Sequence, residues 1–222
     1  MLDVFQSIQR KNIPFMLALT GLPTLFPKLV EARTYSERMF HVIQLGPLSE
    51  DGTQQAIERP VVQRECPINF EPESVRLIWN VTKGYPYFIQ YVCREAFDVW
   101  VQDVAAGKEF QKIPVHEIVR KLDSDFFAGR WARATDRQRE LLIVIANLES
   151  CDAEFTVQDI ADASQLRPRP FSNSHVNQML SALADSGLIF KNRHGKYWFA
   201  VPLMAGFIRR QIVSTLPFDP SG

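Results

Sequence analysis

The sequence predicts a mainly α fold with a minor α/β part, and three observations predict it. Apolar residues recur at helical spacing over most of the chain, as in 72–81 and 87–101. One continuous apolar run, Phe15-Met16-Leu17-Ala18-Leu19-Thr20 closed by Gly21, has the signature of a strand buried on both faces. Toward the C-terminus, three helical segments precede two short apolar strands around a turn, the order of a winged helix.

Composition bounds the rest. At 222 residues, 46% hydrophobic and 23% charged, the chain has globular values and length for one large domain or two small ones. Twenty-five basic residues balance 25 acidic ones, so only a local patch can steer it onto nucleic acid or an anionic membrane. Cys66, Cys93 and Cys151 are far apart and odd in number, which gives neither a metal-ligand pair nor a disulfide framework. No metal site is expected. With no signal peptide and no apolar stretch of about 20 residues, the reading is a reduced, cytoplasmic chain that does not engage a membrane.

Residues 2–11 read as an amphipathic helix ended by Asn12-Ile13-Pro14, and it feeds the apolar run. A second helix spans 24–32, and Val42-Ile43-Gln44-Leu45 is a second candidate strand. Ser49 caps a helix with Glu50 and Asp51 at its positive end, and Pro60 stops it. Pro72 opens the helix that ends at the corner Thr82-Lys83-Gly84-Tyr85-Pro86-Tyr87-Phe88-Ile89-Gln90. There a glycine suits a left-handed helix end, and a proline suits the first turn of the next helix. Free N–H groups, a fixed ring and aromatics at one helix start suit a base or phosphate; the bland alternative is an ordinary helix–helix corner. A helix over 114–125 bridges to the C-terminal part. Thr135, Thr156 and Ser172 cap the three helices there, with Thr156 and Asp159 close to a capping box. Gly187 ends the third, strands 188–190 and 197–201 flank the turn 192–196, and a last helix runs over 202–213.

Several stretches now stand in a recognisable order: Leu19-Thr20-Gly21-Leu22-Pro23, Tyr35-Ser36-Glu37-Arg38-Met39-Phe40, Leu45-Gly46-Pro47-Leu48, Gly84-Tyr85-Pro86-Tyr87-Phe88-Ile89-Gln90, Phe126-Phe127-Ala128-Gly129-Arg130 and Gly187-Leu188-Ile189. The chain resembles the C-terminal two-thirds of bacterial P-loop ATPases of the AAA+/STAND kind, relatives of the archaeal ATPases and the origin-recognition initiators. The resemblance implies a remnant of the nucleotide-binding α/β domain over 1–47, a helical lid and linker over 48–130, a winged helix over 131–215 and a tail over 216–222. It implies that Thr20 is the sensor-1 residue and that Arg38 is an arginine finger reaching a neighbouring subunit's nucleotide. Gly84, Tyr85 and Pro86 would lie against adenine. Arg33 is a rival to Arg38, and Arg38 has a structural alternative in pairing with Glu37, Glu31 or Glu50.

The departures are as informative. There is no G-x-x-x-x-G-K-[ST] stretch, no apolar strand ending in paired acids, and no arginine at the lid corner to serve as a second sensor. The resemblance implies ATP or ADP, with Mg in the full-length parent, as the family's cofactor; lacking these motifs, this chain alone is expected to bind none and to hydrolyse none. The expected partner is an upstream P-loop half or a neighbouring subunit, with the oligomeric state left open by the sequence, and the favoured reading is a fragment of a longer protein. In the winged helix, Arg167, Arg169, Lys191, Arg193 and Lys196 offer phosphate contacts, and Asn173, His175 and Asn177 offer base contacts. The third helix carries no Lys or Arg, so a winged helix used for protein contact stands beside DNA binding. The rival functions are a non-enzymatic DNA-binding regulator and a protein-interaction module.

Overall fold

The computed structural model describes residues 2–21, 25–43, 45–64, 70–108, 113–191 and 195–215. Among these the chain is mainly helical with one two-stranded sheet, and it divides into two units, Met1–Gly46 and Pro47–Gly222.

The first unit holds α1 (Leu2–Arg10), α2 (Leu25–Ala32) and a 3₁₀ turn, Thr34–Arg38. Helix α1 buries Leu2 and Phe5. The Phe5 ring meets Phe15 at 6.0 Å and stacks on Phe40 at 6.2 Å. The Arg33 guanidinium donates to both oxygens of Asp3 at 3.3 and 3.2 Å, and the Tyr35 hydroxyl donates to the same carboxylate. Neither expected strand forms: 13–21 and the described residues of 40–49 lack regular structure. Phe15 is 56% exposed, Met16 87% and Ile43 72%. The physical reason is that a strand is stable only when a neighbour takes its N–H and C=O groups and both faces are covered. Among the described residues neither run has such a neighbour.

The second unit begins with α3 (Glu50–Gln63), capped by Ser49, whose Oγ accepts from the Gly52 N–H at 3.1 Å. Pro60 does not stop this helix, contrary to expectation. It lies in the last exposed turn, where a missing donor affects one bond and little packing. Helices α4 (Pro72–Thr82) and α5 (Pro86–Ala105) follow. With α6 (Val115–Leu122) they enclose a small core of Ile57, Val75, Ile78, Ile89, Val92, Ala96 and Ile118.

The expected bridging helix differs at its C-terminal end. From Asp123 to Ala128 the chain is a π-helix, continued by the single turn α7 (Gly129–Trp131). Asp123 accepts two bonds from Arg210, at 2.7 and 2.6 Å, and Phe127 stacks on Phe207 at 5.2 Å. Both partners lie on α11 (Met204–Thr215), so the wide turn presents one charged and one aromatic group to the same helix.

Helices α8 (Asp136–Ala146), α9 (Val157–Ala163) and α10 (Asn173–Asp185) complete the C-terminal layer. Thr135 with Gln138, and Thr156 with Asp159, make reciprocal capping boxes, and the Ser172 Oγ caps α10 through the His175 N–H at 3.3 Å. Gly187, at φ +73°, ends α10. Strands β1 (Ile189–Lys191) and β2 (Tyr197–Phe199) pair antiparallel, with Phe190 opposite Trp198; the turn 192–194 lies outside the described residues. Phe155 adds an isolated bridge to Tyr197, with both bonds at 2.8 Å. The larger core runs without a break from Phe88 through Leu122 and Phe127 to Ile208. Adjacent residues of α5, Phe88 and Ile89, therefore enter two different cores.

Candidate functional site

The corner between α4 and α5 is built from backbone bonds. Lys83 takes the left-handed conformation at φ 51° and donates its N–H to the Trp79 carbonyl at 2.7 Å. Gly84 follows at φ +76°. Its carbonyl accepts from the Leu48 N–H at 2.7 Å, and a Cβ at this position would lie 2.0 Å from the Leu48 oxygen. Only glycine fits, and two of the stretches picked out in the sequence, around Leu48 and Gly84, meet here.

Pro86 is the first residue of α5 and is exposed. The Phe88 and Ile89 N–H groups both donate to the Tyr85 carbonyl at 3.0 Å. Pro86 has no N–H, so the helix start presents the Tyr87 donor and fewer free groups than the sequence implied. Tyr85 is half-buried against the larger core. Tyr87 is 55% exposed, and its ring meets Phe88 and Phe126, each at 5.2 Å. The outward surface of the corner is thus Pro86 with one face of Tyr87.

In the first unit Thr20 and Arg38 are exposed. Arg38 has no ion pair among the described residues, with Glu31, Glu37 or otherwise, and Glu50 pairs with Arg76 at 3.3 Å. Arg33 is held by Asp3. That pairing, with the Tyr35 hydroxyl, lowers the Asp3 carboxyl below its ordinary value and raises Arg33 and Tyr35. Of the two arginines, the one free to meet a phosphate is Arg38.

The C-terminal candidates divide. Arg167 is half-buried and Arg169 exposed, on the loop before α10. The Asn173 side chain donates to Gln158 at 3.0 Å, and the Asn173 backbone carbonyl accepts from the Asn177 side-chain amide at 3.1 Å. The His175 ring rests near Phe171 at 5.8 Å. Lys191 sits over Tyr197 at 5.6 Å, and Lys196 pairs with Glu154 at 3.0 Å. Arg193 lies outside the described residues.

The family described as "Domain of unknown function (DUF8462)" matches residues 124–208. No curated protein matches the chain. Among solved structures, a Walker-type ATPase of Pyrococcus abyssi is similar, with a TM-score of 0.51 at 15% identity. The match covers 73% of this chain and 42% of that one. What they share is the fold.

Other chemistry is limited. Burial pushes the Cys93 thiol up to about 12 and raises Cys151, so neither is a thiolate near neutral pH. Among the described residues no cluster of His, Cys, Asp or Glu could hold a metal, and no helix is long and apolar enough to cross a membrane. The sequence did not expose Arg137. Its guanidinium stacks on Phe171 at 3.7 Å and donates to the Arg169 and Pro170 carbonyls at 3.0 and 3.4 Å. No local spacing signals a contact that spans more than 30 positions.

Proposed function

We propose that this chain is the sensor, lid and winged-helix portion of a P-loop ATPase of the AAA+/STAND kind, passing nucleotide state to a DNA or protein contact. The observation that carries the reading is the Leu48-locked Gly84 corner, with Pro86 turned outward, in a chain whose fold is similar to part of a Walker-type ATPase. In this reading Pro86, with the exposed face of Tyr87 beside it and Tyr85 supporting it from the core side, lies against adenine, while Walker A and Walker B groups come from another polypeptide segment. ATP or ADP with Mg would be held mainly by that segment. Thr20 senses the γ-phosphate, and Arg38 reaches a phosphate of a neighbouring nucleotide as a bidentate cation.

The output follows from packing. The corner's Phe88 lies within 5.3 Å of Phe126 and 5.9 Å of Phe127, and Phe127 stacks on Phe207. A displacement at the corner is therefore handed to the winged helix through contiguous rings, with lid and winged helix moving as one body. The unbroken core between the lid and the C-terminal helices argues for rigidity across the bridge at 114–125. As output, protein contact is favoured over base reading, because the Asn173 amide is already engaged by Gln158 and the Asn177 amide by the Asn173 backbone carbonyl.

The test joins this chain to a polypeptide supplying Walker A and Walker B and measures ATP turnover. Arg38→Ala is expected to lower turnover by roughly 10³-fold or more, the range for loss of an arginine finger. Unchanged turnover would remove that role.

A further inference from the structure

The loop between α9 and α10 carries Leu166, which is 100% exposed. The loop is nevertheless firmly mounted. Buried Ser164 accepts the Phe171 N–H at 2.9 Å and donates to the Ala161 carbonyl at 2.8 Å. Arg137 grips the other end through Phe171 and the Arg169 and Pro170 carbonyls. Pro168 and Pro170 fix two backbone torsions. A fully exposed leucine is thus held in place just before two arginines, Arg167 and Arg169, that have no ion pair among the described residues.

A groove of the opposite character lies between α5 and α6. It is a cavity of ≈ 450 Å³ with buried Ile118 at its base and Phe97 and Val101, 41% and 44% exposed, along one wall. Asp98 and Glu117 line it from exposed positions and have no ion pair among the described residues. Glu95, its side chain 7% exposed, is paired with Lys121 at 2.5 Å and so leaves that cation engaged.

We infer that the Leu166 loop of one copy of this chain docks into the α5–α6 groove of another, leucine onto Phe97, Val101 and Ile118, and Arg167 and Arg169 onto Asp98 and Glu117. Charge complementarity selects this occupant: the groove presents two free carboxylates beside apolar side chains, and the loop presents two free guanidinium groups beside one apolar side chain. The loop is rigid, so little conformational freedom is lost on docking. The contact is head-to-tail, since knob and groove are different surfaces of one chain. It does not depend on the nucleotide reading.

Sedimentation of the full chain over a concentration series at low and high salt tests the inference. The wild type is expected to associate, less so at high salt. Leu166→Asp is expected to weaken association by roughly tenfold or more, as for a central interface anchor. The double variants R167E/R169E and D98K/E117K should each be monomeric alone, because knob and groove then repel. Mixed together they should associate, because every knob again meets a groove of opposite charge. All five substituted side chains lie outside both cores, and circular dichroism checks that folding is retained. A chain that stays monomeric at about 1 mM, where even a millimolar contact is populated, overturns the inference. Association that survives both double variants overturns it equally.

Discussion

Gly84 shows how a single residue can be required for two separate reasons. Its φ of +76° lies in the region that L side chains resist, and its missing Cβ makes room for the Leu48 carbonyl at 2.0 Å. Gly84→Ala meets both penalties at once, since backbone on both sides must move. The expected loss is roughly 2–4 kcal/mol in urea unfolding, and a loss under about 0.5 kcal/mol would mean the corner relaxes freely. A gentler case is Asp3. Arg33 and Tyr35 hold its carboxyl below the ordinary 3.8, so the folded form binds its proton more weakly than the unfolded form. The sign follows: the contribution is present above the unfolded value and is lost as pH falls through the lower folded value. A carboxyl-carbon titration by NMR should place Asp3 below 3.8, and Arg33→Gln should return it toward 3.8.

Among the elements, the π-helix at Asp123–Ala128 decides how the C-terminal layer is attached. Phe127 is fully buried, with Phe88 on one side and Phe207 on the other. Phe127→Ala removes the ring that joins α5 to α11, and the expected cost is roughly 3–5 kcal/mol by urea unfolding. A cost near 1 kcal/mol would show that Phe126, with Arg130 over its ring at 4.1 Å, collapses into the gap. The capped helices were legible in the sequence because their signals are local: Thr135, Thr156 and Ser172 act within three residues of themselves. The π turn was not legible, because its causes lie far along the chain, in Arg210 and Phe207. The strands at 15–20 and 42–45 failed for a related reason: their apolar pattern is real, but a strand's stability belongs to its neighbours. In the candidate site, the glycine and proline of the corner could be read directly, whereas the engagement of Arg33, Asn173 and Lys196 required coordinates.

At the scale of the whole molecule, the two units differ in how much they bury. Residues 47–222 contain two cores, and α5 lines both, through Phe88 on one side and Ile89 and Val92 on the other. Opening either core strips apolar cover from the same helix, so the two cannot separate without exposing it. In residues 1–46 the buried side chains are Leu2, Phe5 and Ser36 among those described, and 13–21 has no regular hydrogen-bonded structure. Native-state hydrogen exchange should therefore show two tiers. Amides of α4, α8 and α10 are expected to share the slowest rate, that of global opening of the second unit. Amides of 13–21 should exchange hundreds of times faster or more, since a region with few buried contacts opens at a cost of only about 0–3 kcal/mol. The discriminating comparison is α4 against α10, because they lie in different cores. If α4 exchanged through its own opening, with α10 still protected, α5 would not be coupling the cores.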